Sequence, residues 1–79
     1  MIVRERKNVI AYIEKRQIGK QYFKAKKNLE NNQYQQVDFK LRKPNSLGIY
    51  QFRVSKKYRA FGHYIDDIFV VASISDHQL

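Results

Sequence analysis

Apolar positions along this 79-residue chain change period once, near its middle. In the segment 5–16, Val9, Ile10 and Ile13 take the i, i+1, i+4 spacing of one helical face. Gly19 is read as the break after that helix. Ile18, Tyr22, Ala25 and Leu29 then recur at i, i+4, i+7 and i+11, which predicts a second amphipathic helix. Lys20, Lys24 and Lys27 fall on its outer side, and Asn31-Asn32 suits its end because asparagine tolerates the left-handed conformation of a helix terminus. From residue 37 the period is two. Val37, Phe39 and Leu41 alternate with Asp38, Lys40 and Arg42, predicting a strand. Lys43-Pro44-Asn45-Ser46-Leu47-Gly48 reads as a turn. Tyr50, Phe52 and Val54 alternate with Gln51, Arg53 and Ser55 in a second strand, and Lys56-Lys57 is a connection. Tyr58–Ile65 and Ile68–Ser75 read as two more strands, joined by an acidic turn at Asp66-Asp67.

Helices in one run and strands in the next indicate an α+β domain. The expectation is a single domain over 1–79, with a helical pair at about 5–32 packed on one face of an antiparallel meander of about four strands at about 37–78. Met1-Ile2-Val3 can add a short edge strand. The tyrosines and phenylalanines are mainly core residues by their alternation, with Tyr58 and Tyr64 the candidates for stacking on bases.

Charge adds a partner class. The chain carries 16 Lys and Arg against 7 Asp and Glu, a net charge of +9, with a pI near 10.0. Such a balance favours a polyanion: nucleic acid first, then an acidic protein or an anionic membrane surface. Most of the excess lies before residue 44, in the helical part. There is no cysteine, which excludes disulfides and thiolate metal sites and fits a reducing cytosol. The longest apolar run, Ile68–Ala72, is far short of the roughly 20 residues that cross a bilayer. The expectation is a cytoplasmic protein, neither secreted nor membrane-spanning.

Motifs for standard cofactors are absent: there is no Gly-rich phosphate loop and no paired-histidine helix. His63 and His77 with Asp66, Asp67 or Asp76 make a weak metal pattern, so no metal and no cofactor is expected. Ser73 and Ser75 lie on an apolar strand without a nucleophile-elbow sequence.

Alternation carries more information about the polar side of the meander. Arg53, Arg59, Lys40 and Arg42 all oppose apolar neighbours, and His77 follows the last apolar strand. Gathered on one sheet face, these types suit RNA cleavage by its own 2′-hydroxyl. A guanidinium stabilises the charge growing on the phosphorane, and a histidine donates or accepts a proton. The plainer readings are a solvated Arg53, an Arg59 paired with Asp66 or Asp67, and a His77 that belongs only to the tail.

Three stretches and one residue resemble the RelE/ParE toxin superfamily. They are Leu47-Gly48-Ile49-Tyr50-Gln51-Phe52-Arg53-Val54, Lys57-Tyr58-Arg59-Ala60-Phe61, Ile65-Asp66-Asp67-Ile68-Phe69-Val70-Val71, and His77. The pattern is a Gly-aromatic start to an Arg-bearing strand, a charged turn, a Tyr-Arg strand start, an acidic turn and an apolar strand ending near a histidine. It is most similar to the YoeB- and YafQ-like mRNA interferases. The preceding helix pair fits the same layout, and each short motif alone is unspecific. The resemblance implies the toxin of a type II toxin–antitoxin pair, a ribosome-dependent, metal-independent endoribonuclease that cuts mRNA. Arg59 would stabilise the transition state and His77 act as general acid or base, with Arg53 beside them. Lys40, Arg42, Lys56, Lys57, Lys24 and Lys27 would contact RNA. The implied partners are mRNA on the ribosome and a cognate acidic antitoxin, with no small-molecule substrate. The chain departs from the pattern in having Asp38 rather than a glutamate at the first meander strand, Gln78 rather than an aromatic after His77, and an N-terminal strand that reads as short or missing. The alternative readings are a non-catalytic RNA- or ribosome-binding module and a ParE-like inhibitor of DNA gyrase.

Overall fold

The computed structural model describes residues 1–76. In chain order they form β1 (Ile2–Glu5), α1 (Lys7–Arg16), α2 (Gly19–Glu30), a 3-10 turn (Tyr34–Val37), β2 (Lys40–Leu41), a second 3-10 turn (Asn45–Leu47), β3 (Tyr50–Arg53), β4 (Arg59–Ile65) and β5 (Ile68–Ser75). The architecture is α+β, with two α-helices and one sheet. No described helix is long and apolar enough to cross a membrane.

The sheet differs from the expected antiparallel four strands. It has five, in the order β1-β5-β4-β3-β2, and it is mixed because β1 runs parallel to β5. Val3 pairs with Phe69, and both are fully buried. This strand is hard to read because Arg4 and Glu5 fill half of it, and Glu5 looks like the first turn of a helix. Glu5 is instead a strand residue facing α2. Its carboxylate accepts a hydrogen bond from the Tyr22 hydroxyl at 2.7 Å and pairs with Lys26 Nζ at 2.8 Å. Burial in the first place, then this bond to Glu5, pushes the Tyr22 hydroxyl well above its ordinary pKa.

Three further corrections are local. The break between the helices falls at Gln17, which is left-handed at φ 57, and Gly19 opens α2. Ile10 is 45% exposed, because α1 buries only Val9 and Ile13, one turn apart. The strand expected from Val37, Phe39 and Leu41 is reduced to Lys40–Leu41. Val37 closes a 3-10 turn and Asp38 is left-handed at φ 51, a conformation that aspartate tolerates better than most residues. Val37 is buried from a turn, so its place in the alternation reflects packing rather than extended backbone.

Both helices lie on one face of the sheet. Val9, Ile13, Ile18, Tyr22, Ala25 and Leu29 belong to a single core with Val3, Phe52, Ala60, Phe69, Val71 and Ile74. Gly62 lets this core close: a Cβ there would meet the Val70 carbonyl oxygen and lie 2.8 Å from Phe69 Cζ. Beside it the β4–β5 ladder slips, since Phe61 pairs with Ser73 but Gly62 with Val71, leaving Ala72 as an extra residue. The amide of Asn8 donates to the Ala72 carbonyl at 3.0 Å, so the start of α1 satisfies the bulge.

Candidate nucleic-acid interface

Residues paired across a ladder point to the same face, so the pairing register defines the face that the helices leave uncovered. Its rows run across the strands. One end carries Ile2, Ile68 and Ile65. The next row is Arg4, Val70 and His63. Ser73, Phe61, Gln51 and Lys40 follow. The last row is Ser75, Arg59 and Arg53. The face therefore grades from an apolar end, with Ile2 and Ile65 each 49% exposed, to a cationic end. The slip at Ala72 preserves this order: without it, Ser73 and Ser75 would turn toward the helices.

The cationic end is built by the β3–β4 connection. Val54 N and Ser55 N donate to the Tyr58 carbonyl at 3.0 and 3.3 Å, while the Ser55 hydroxyl accepts from the backbone N–H of Lys57 and Tyr58. A serine is suited to such a turn because its hydroxyl serves nearby backbone donors. The turn then holds Arg59, whose Nη1 donates to the Ser55 carbonyl at 3.0 Å. Arg59 is thus anchored by backbone and faces Arg53 directly across the ladder. Among the described residues the ion pairs are Lys26–Glu5 and Lys40–Asp38, so neither arginine has a carboxylate partner. The expected alternative, Arg59 paired with Asp66 or Asp67, does not occur: those residues lie past the opposite end of β4.

Arg42 continues the line of Lys40. Its backbone N–H donates to Ile49 at 2.7 Å, and its guanidinium lies 4.9 Å from the Phe61 ring centroid. The fold thus gathers Lys40, Arg42, Arg53 and Arg59 on one face. Lys56 and Lys57 belong to the connection, with Lys57 Nζ 5.6 Å from the Tyr58 ring. Lys24 lies on α2 and lines, with Arg53 and Lys56, an open groove of about 430 Å³ beside the end of β3. Lys27, also on α2, is exposed on the helical side and apart from the sheet face. His77 lies outside the described residues. Among the described residues no three His, Asp or Glu side chains gather to hold a metal.

Of the two stacking candidates, Tyr58 is buried and set edge-on to Tyr12, and Tyr64 points to the helical side, edge-on to Tyr50 and Phe69. The reading of aromatics as core missed Phe61, which with Gln51 and Ser73 forms the middle of the uncovered face. A signal for Phe61 was present, since it shares strand parity with Arg59 and His63. No protein-family model matches the chain, and a search of curated proteins finds no match.

Proposed function

We propose that the protein is a type II toxin, a ribosome-dependent and metal-independent endoribonuclease acting on mRNA, held in check by an acidic antitoxin. One observation carries this reading: Arg53 and Arg59 stand directly opposite each other on the uncovered face, and among the described residues neither pairs with a carboxylate. Like charges placed opposite each other on a sheet destabilise it. A phosphate seated between the two relieves that cost, and guanidinium groups bind its oxygens in pairs. Lys40 and Arg42 extend the positive line for neighbouring phosphates. In the proposed reaction the 2′-hydroxyl loses its proton and attacks the adjacent phosphorus, the P–O5′ bond breaks, and the departing 5′-oxygen takes up a proton, leaving a 2′,3′-cyclic phosphate; Arg59 stabilises the charge growing on the phosphorane, and His77 acts as general acid or base. The element order supports the same reading, since the resemblance implies a helix pair ahead of the strands and α1 and α2 precede β2 to β5.

A second reading, a non-catalytic RNA- or ribosome-binding module, is favoured by a different observation. His63 is the one histidine on the described rows of this face, and it lies four positions along β4 from Arg59. That is about 13 Å, too far for both to serve one phosphate.

The test is primer extension on mRNA from a purified translation reaction, with wild type, Arg59→Ala and His77→Ala. Cuts at the ribosomal A site that disappear in both variants support the nuclease. A folded, ribosome-bound protein that leaves mRNA intact refutes it in favour of the binding module.

A further inference from the structure

Six tyrosines and five phenylalanines give this small domain eleven aromatic rings. Ten of them touch another aromatic ring, in chains such as Tyr34–Phe39–Tyr50 and Phe52–Phe69–Tyr64. The same holds for Tyr12 with Tyr58 and for Tyr22 with Phe23. Phe61 alone does not. Its ring partner is the Arg42 guanidinium, 4.9 Å from the ring centroid. It is neither a core residue nor among the partly buried residues packed against the core. A phenylalanine at the centre of an uncovered face, with its π-surface turned to a planar cation, presents a stacking surface.

The register surrounds that ring with polar groups. Gln51 stands opposite Phe61 on β3 and Ser73 opposite it on β5. Arg59 and His63 flank it two residues away along β4. We infer that Phe61 is a stacking platform for one unpaired base of single-stranded RNA. This inference rests on the RNA-directed reading above. The base takes the position of the Arg42 guanidinium over the ring, and Arg42 swings to the adjoining phosphate. The amide of Gln51 and the hydroxyl of Ser73 then meet the base edge, since both types donate and accept hydrogen bonds. The phosphate on the other side of that nucleotide reaches the Arg53–Arg59 row. Phosphate contacts supply affinity and register, and the Phe61 site adds preference for an intact, unstacked base.

The experiment compares a short single-stranded RNA with an abasic strand of the same length and charge. Both carry 2′-O-methyl sugars, so that neither can be cut. Binding is measured on wild type, Phe61→Leu and Phe61→Tyr. Wild type is expected to prefer the base-bearing strand by about 10-fold, the scale of one base–aromatic stack. Phe61→Leu abolishes that preference while keeping the abasic affinity, which also shows the fold to be intact, and Phe61→Tyr restores it. Equal binding of both strands by wild type, or equal loss of both in Phe61→Leu, overturns the platform and leaves the phosphate-binding face standing. If wild type binds neither strand, the platform falls, while the cleavage test in the translation reaction decides the ribosome-dependent reading separately.

Discussion

Replacing Arg53 by glutamine is expected to stabilise the protein and weaken its hold on RNA, two effects of opposite sign from one change. Arg53 and Arg59 form a cross-strand pair with Cβ atoms about 5 Å apart, as for any directly opposed residues in an antiparallel ladder. Arg59 cannot swing away freely, because its guanidinium is bound to the Ser55 carbonyl. The repulsion therefore persists in the folded state and is relaxed in the unfolded chain. Like charges in this position cost roughly 0.2–1 kcal/mol, and Coulomb's law in water gives about 1 kcal/mol as the ceiling for close contact. Glutamine retains part of the alkyl stem that lines the groove beside α2, so little packing is lost. A gain of about 0.5 kcal/mol raises the Tm of a domain this size by about 2–4 °C. Differential scanning calorimetry at low salt measures it. In about 1 M salt the screening length falls to about 3 Å, and the gain should vanish. In RNA-binding titrations across salt, the slope of log affinity should shrink by about 0.7 for the one phosphate contact removed. A lower Tm at low salt, or an unchanged RNA affinity, refutes the argument that this pair is held apart from acids for the sake of an anion.

Gly62→Ala should cost about 3 kcal/mol in urea unfolding, because the new methyl meets a fixed backbone oxygen and the buried Phe69 ring; a loss under about 1 kcal/mol means the bulge can relax. Tyr22→Phe should cost about 1–2 kcal/mol at neutral pH by taking a donor from Glu5. The same variant tests pH dependence. The folded state holds the Tyr22 proton above its ordinary value of 10.0 while the unfolded chain releases it there, so stability is intact below about pH 10 and is lost as pH rises further. Urea unfolding at about pH 9 and about pH 11 should show a loss of stability between the two that is smaller by about 1.4 kcal/mol in total in Tyr22→Phe, and equal losses would exclude Tyr22 as a source.

Much of this protein follows from the chain read alone. The two helices, the β3, β4 and β5 strands and the α+β class follow from periods of 3.6 and 2, because each element must bury one face. The same parity places Arg53, Arg59 and Lys40 on the polar side, so the basic face was legible before its geometry. What alternation cannot express is pairing between distant segments. The parallel contact of β1 with β5 joins Val3 to Phe69 across most of the chain, and nothing local to Ile2–Glu5 announces it. Glu5 shows the same limit: its role depends on Tyr22 and Lys26, which α2 brings to it. Asp38 broke an alternation that looked regular, since a buried Val37 can be supplied by a turn as well as by a strand. Strand parity put Phe61 on the polar side, but only the register set Gln51 and Ser73 beside it, and only the tertiary structure left its ring without an aromatic neighbour. Local propensity thus determined the elements and the sign of each face, while long-range pairing decided which side chains share a row.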